Sequence, residues 1–191
     1  MTSHVTFIYL LGMGGMMFET PGGAITIRRK VNALHGTYCP LLLEYTDQDK
    51  AAALIREAHP DEKIMLAGDS CGGNRIAYVA AAVYPRPIEY MAVINASMWC
   101  NLNCPPVPDN VKEVYDVYGG FQTFGLSQFE TPLQVPPPKW DFNDGKNRIG
   151  VGNHGKTKIT YKYVDAPHPD DWDVIHVHDP IVEKAKELIA S

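Results

Sequence analysis

The 191-residue chain has no apolar run approaching the roughly 18 residues of a membrane-spanning helix. It has no basic block and no stripe of basic and aromatic residues. Its 17 Lys and Arg against 22 Asp and Glu leave a net charge of -5, which argues against nucleic acid as the main partner. There is no internal repeat and no evident linker. Cysteine is scarce: Cys39, Cys71, Cys100 and Cys104. Phe7 to Phe18 is apolar, but it lacks a basic segment before it and an evident cleavage site after it. The segment therefore reads as a buried first strand, the chain as cytoplasmic, and free thiols as the default. Cys100 and Cys104 are close enough in sequence to pair or to share a metal, but no second ligand pair accompanies them. No resident metal and no cofactor are expected.

What is present is a single domain's worth of sequence, 45% apolar, with strand and helix patterns in alternation. Strands are expected at His4–Leu11, Tyr38–Tyr45, Ile64–Ala67, Glu89–Ala96, Val111–Tyr118 and Lys158–Val164. Helices are expected at Ala24–Leu34, Asp49–Ala58, across Ile76–Val83, and at Ile181–Ile189, with Asp47 or Asp49 and then Asp179 as caps. Residues 119–156 show no period, hold three consecutive prolines at 136–138, and suit a flap over a site. The alternation predicts an α/β fold, a three-layer α/β/α sandwich with a mostly parallel sheet. Sites in such sheets form at the carboxyl ends of strands.

Three features fall at those ends. The most informative is Gly68-Asp69-Ser70-Cys71-Gly72, a Gly-x-Ser-x-Gly run with an apolar strand before it and an Ala-rich helix after it. That context predicts a nucleophile elbow, with Ser70 lifted clear of the sheet on a sharp turn. Gly12-Met13-Gly14-Gly15 follows the first strand, where backbone N–H groups could approach a substrate. His168, His176 and His178 lie between the last strand and the last helix. Acyl transfer needs a nucleophile, a base in hydrogen-bond reach and donors aimed at the developing oxyanion. Ser70 is the nucleophile candidate. The Cys71 N–H opens the following helix and is one oxyanion donor; Met13 N–H, or Gly12 N–H, is the second. His168 stands four residues after Val164 and is the first choice of base, with His176 the alternative and His178 a capping or surface residue. Asp116 is the candidate acid, Asn95 an alternative orienter, and Asp141, Asp144 and Asp165 remain open. A metal-dependent reading through His176 and His178 would need a third ligand, from Cys100, Cys104 or His154.

These motifs resemble those of the α/β-hydrolase superfamily, in particular its small lidless serine esterases and lipases. Leu11-Gly12-Met13-Gly14-Gly15 resembles the loop usually read His-Gly-x-Gly-Gly, and Gly68–Gly73 the Gly-His-Ser-x-Gly-Gly elbow. Pro108-Asp109-Asn110-Val111 followed by Tyr115-Asp116-Val117-Tyr118 resembles a Pro-x-Asn-Val, Tyr-Asn-x-Tyr segment. Ile175 and Asp179-Pro180 match the end of a His-x-x-Ile, Asp-Pro pattern whose histidine column falls on Trp172, with His168 the nearest histidine upstream. The resemblance spans nearly the whole chain. It implies a minimal α/β-hydrolase fold and a serine hydrolase acting on a small-molecule acyl ester or thioester without a cofactor. Three positions depart: Leu11 for the loop histidine, Asp69 for the residue before the serine, and Asn95 where such members often carry Asp. These departures keep a second reading in view, a catalytically impaired binding protein on the same fold.

Overall fold

The computed structural model describes residues 4–12, 23–38, 42–94, 96, 106–119, 150–151, 157–164 and 174–191. The described elements are, in chain order, β1 (Val5–Leu11), α1 (Ala24–Asn32), β2 (Thr37–Tyr38), β3 (Leu42–Glu44), α2 (Gln48–Glu57), β4 (Lys63–Asp69), α3 (Ser70–Ala82), β5 (Tyr90–Ile94), β6 (Pro106–Val107), β7 (Glu113–Gly119), β8 (Gly150–Val151), β9 (Lys158–Val164), a π-helical turn (Val174–His178) and α4 (Asp179–Ala190).

Seven strands form one sheet in the order β2-β1-β4-β5-β7-β9, with β3 also on β1. Every described pairing in it is parallel. The strands β1, β4 and β5 are buried on both faces, which explains why they read as continuous apolar runs rather than alternating ones. Phe7, Tyr9 and Leu11 of β1 pack with Ala24, Ile27 and Val31 of α1 and with Ile181, Ala185 and Leu188 of α4. Ile8 and Leu10 face the other way, onto Ala51, Ala52 and Ile55 of α2 and Ile76, Val79 and Ala80 of α3. The helices therefore cover the two faces in pairs, as the helical spacing of those apolar positions requires. This is the expected three-layer α/β/α arrangement.

The expected Tyr38–Tyr45 strand is two short strands, β2 and β3, on the amino and carboxyl halves of β1. The pairing of β6 with β8 was not foreseen; it joins two-residue segments far apart in sequence, too short for a period. Two cap assignments also change. Asp47 does occupy the cap of α2 but makes no side-chain cap bond; its Oδ2 accepts the Glu44 N–H at 3.3 Å. Asp179 is the first residue of α4, not its cap, because the chain arrives already helical at His178 (φ -66°, ψ -52°). Asn110 is buried and its amide donates to the Ala80 and Arg86 carbonyls at 2.9 and 2.7 Å, tying the approach to β7 onto the end of α3.

At the amino end of the sheet, α4 is fastened by charge. Lys184 Nζ lies 2.7 Å from Glu113 Oε2, and Lys158 Nζ lies 3.0 Å from Glu113 Oε1. Lys184 also sits over the Tyr90 ring, 5.7 Å from its centroid. Burial alone would raise the Glu113 carboxyl, but hydrogen bonds and charge from Lys184 and Lys158 outweigh it and hold the group below the ordinary range. A carboxyl lowered on folding stabilises the fold above its unfolded pKa, and that stabilisation is lost as pH falls through the folded value. Glu113→Gln should therefore cost about 1–2 kcal/mol at pH 7, allowing for partial exposure. Urea denaturation should show the gap from wild type closing as pH drops below the carboxylate range.

Candidate active site

The chain first builds outward from β1 to β2 and β3, then crosses back so that β4 lies on the other side of β1. The carboxyl ends of β1 and β4 thus flank the point where the winding reverses, the place where parallel sheets open a crevice. Gly12 ends β1 and Ser70 follows β4. A Cβ on Gly12 would lie 3.0 Å from Ser70 Cβ and 2.6 Å from Asp69 Oδ2, so the two strand ends are in direct contact.

Ser70 has φ 48° and is the one non-glycine residue with positive φ among the described residues. This conformation costs a β-carbon residue about 1–3 kcal/mol and persists only where its surroundings enforce it. The enforcement is visible. A Cβ on Gly68 would stand 2.6 Å from the Gly72 carbonyl carbon, and a Cβ on Gly72 would overlap the Leu10 carbonyl oxygen. The first turn of α3 therefore lies directly on β1 and β4. The chain has one residue, Ser70, in which to turn from strand into helix. Asp69 is still extended at φ -108°, ψ 151°, and α3 begins at Ser70. The Cys71 N–H opens the helix at its positive dipole end.

Asp69 would ordinarily cap α3, but it makes no side-chain cap bond. Its Oδ2 instead accepts the Gly12 N–H at 3.1 Å. The carboxylate beside Ser70 is thus hydrogen-bonded across the crevice, and Gly12 N–H, the alternative to Met13 N–H as second oxyanion donor, is already engaged. The expected free thiol at Cys71 is corrected: Cys71 is disulfide-bonded and buried, with its partner outside the described residues. Sequence spacing gave no sign of this, since the pairing considered was Cys100 with Cys104.

Asp116 is 5% exposed. It pairs in register with Val93, which pairs with Gly68, so it stands two strands from the Ser70 strand, or about 10 Å. Strand alternation turns it toward the α2 and α3 layer, since its neighbours Tyr115 and Val117 pack on the opposite face. His176 lies in the π-helical turn, half-buried, and its carbonyl accepts the Tyr115 hydroxyl at 2.9 Å, which pins the turn to β7. His178 was expected as a capping or surface residue; it is buried, and makes no side-chain cap bond. Among the described residues, no group of three or more His, Cys, Asp or Glu side chains is placed to hold a metal, and no helix is long and apolar enough to cross a membrane. Met13, Asn95, His168, Asp141, Asp144, His154 and Asp165 lie outside the described residues, as do most of 119–156 and Cys39, Cys100 and Cys104.

Two measurements test this geometry. Gly72→Ala forces α3 off β1 and should cost about 3 kcal/mol by urea denaturation, as overpacking of a rigid backbone contact does. Peptide mapping of unreduced, denatured protein should find Cys71 blocked to iodoacetamide until a reductant is added.

No family model matches the chain, and no curated protein matches its sequence. Solved structures do match its fold. Est1E from Butyrivibrio proteoclasticus is 15% identical, with a TM-score of 0.58 over 100% of this chain and 90% of that one. A metagenomic carboxyl esterase is 12% identical, with a TM-score of 0.53 over 98% of this chain and 76% of its own. Acyl-protein thioesterase 2 from Zea mays is 9% identical, with a TM-score of 0.51 over 99% and 95%. At these identities the likeness is one of architecture, and with the parallel sheet and its paired helix layers it establishes an α/β-hydrolase-like fold.

Proposed function

We propose that the chain is a serine hydrolase of esterase or lipase type, cleaving a small-molecule acyl ester or thioester without a cofactor. One observation carries the reading: Ser70 is held at φ 48° between β4 and α3, at the carboxyl edge of the sheet and against the end of β1. Strain of this kind at a partly exposed serine suits the presentation of a hydroxyl to a substrate. Two of the structurally similar proteins are named as an esterase and a thioesterase, which agrees with the reading.

In the proposed reaction the Ser70 hydroxyl attacks the acyl carbonyl while a histidine of the segment before α4 takes its proton. His168 is the first choice and His176 the alternative. The tetrahedral oxyanion is held by the N–H groups of Cys71 and Met13. The histidine then returns the proton to the departing alcohol or thiol, and water releases the acyl group by the same steps. Asp116 is proposed to orient the imidazole and to stabilise its charged form, with Asn95 the alternative orienter. Residues 119–156 are proposed as the flap that shapes the acyl pocket, within one domain. A cytoplasmic setting, expected from the sequence, is compatible with the disulfide at Cys71 only where local thiols leave it oxidised.

A fluorophosphonate probe tests the reading. The wild-type protein should label at Ser70 and hydrolyse short-chain p-nitrophenyl esters. Ser70→Ala should lose both while keeping its denaturation midpoint. Failure of the wild type to label, or full hydrolysis by Ser70→Ala, would overturn the assignment and leave a binding protein on a hydrolase-like fold.

A further inference from the structure

We infer that Asp69 is a positioning residue for the proposed serine chemistry: its carboxylate latches the end of β1, at Gly12, to the turn that carries Ser70 and Cys71. The inference rests on the proposed serine chemistry and adds a role that the chemistry does not itself assign.

The β1–β4 ladder runs from Val5 opposite Lys63 to Leu10 opposite Gly68, and stops there. It cannot continue on main-chain bonds. Past Gly68 the partner strand turns away at Ser70 into α3, whose first residues are pressed onto Leu10 and Leu11 through Gly72. Gly12 is the next residue of β1's chain, buried, and its N–H needs an acceptor. Asp69 Oδ2 supplies it at 3.1 Å, continuing the pairing by one rung with a side chain in place of a strand.

The choice of residue is informative. Asp is among the best helix caps, and Asp69 occupies the cap position of α3. Yet it makes no cap bond and leaves the helix N-terminus, with the Cys71 N–H, for another acceptor. Its carboxylate reaches across to Gly12, the residue that leads directly into Met13. Asp69 thus joins the strand end at Gly12 to the helix start at Ser70 and Cys71. The fit is close on both sides, since even a methyl group on Gly12 would lie 2.6 Å from the carboxylate oxygen. A charged acceptor makes the bond stronger than a neutral one.

Asp69→Ser tests the latch with the helix cap preserved, because serine also caps well but is too short to reach Gly12. Asp69→Asn keeps an acceptor oxygen in place. The wild type must first label with fluorophosphonate at Ser70; absence of label indicts the serine chemistry, not the latch. Given labelling, Asp69→Ser should lower kcat and the labelling rate about 10–100-fold with KM little changed, the scale of a misplaced oxyanion donor. Asp69→Asn should recover most of that loss. Wild-type kcat in Asp69→Ser, or equal damage in Asp69→Asn, overturns the inference. Should Asp69→Ser fail to fold, amide exchange of Gly12 in the wild type decides: slow exchange supports the latch, and exchange at the rate of an open loop overturns it.

Discussion

The contact of the first turn of α3 with the backbones of β1 and β4 is the constraint from which the rest of the site follows. Gly68 and Gly72 leave no room for a Cβ on either side of Ser70. The helix axis therefore cannot rise from the sheet to give the chain a gentler turn. One residue has to absorb the change of direction, and it does so at φ 48°. The cost is local and modest; the packing that enforces it is spread over both buried strands. β4 and β1 are buried on both faces and α3 packs against α2, so the strained turn rests on well-packed elements.

The same constraint creates a second requirement. A strand that turns into a helix after one residue abandons its neighbour, and β1 is left with a donor beyond the end of its ladder. In most parallel sheets such a donor meets water or a ligand. Here it meets the Asp69 carboxylate. Asp69, one of the three departures from the motif, is engaged by a bond between positions 57 residues apart. Pairwise placement of this kind leaves no periodic trace and is invisible to pattern.

Elements with many residues on one period were legible. The strand at Lys158–Val164 has the expected bounds, and α1 and α2 differ from expectation by one or two residues at their ends. The turn before α4 was not legible, because Val174 and Ile175 are exposed while Val177 and His178 are buried, and a five-residue π-helical turn has no sequence period of its own. That turn matters for the histidines. It removes His178 from the surface and fixes the backbone of His176 to Tyr115. Of the candidate site, the sharp turn at Ser70 was legible because glycine spacing and strand–helix context both report the same steric fact. The disulfide at Cys71 was not, because cysteine pairing depends on proximity that only the fold supplies.

Ser70 is thereby bounded by restraints of three different kinds. Glycine contacts fix it against the sheet, a carboxylate–amide bond fixes the neighbouring strand end to it, and a disulfide at the next residue ties the helix start to another part of the chain. Their physical responses differ. Steric contact is insensitive to pH and redox state, the hydrogen bond depends on an acceptor at position 69, and the disulfide depends on the surrounding thiol potential. Asp69 is of a residue type suited to an ordinary capped helix start. Its carboxylate instead holds the end of β1, while backbone contacts hold the serine beside it in a strained conformation.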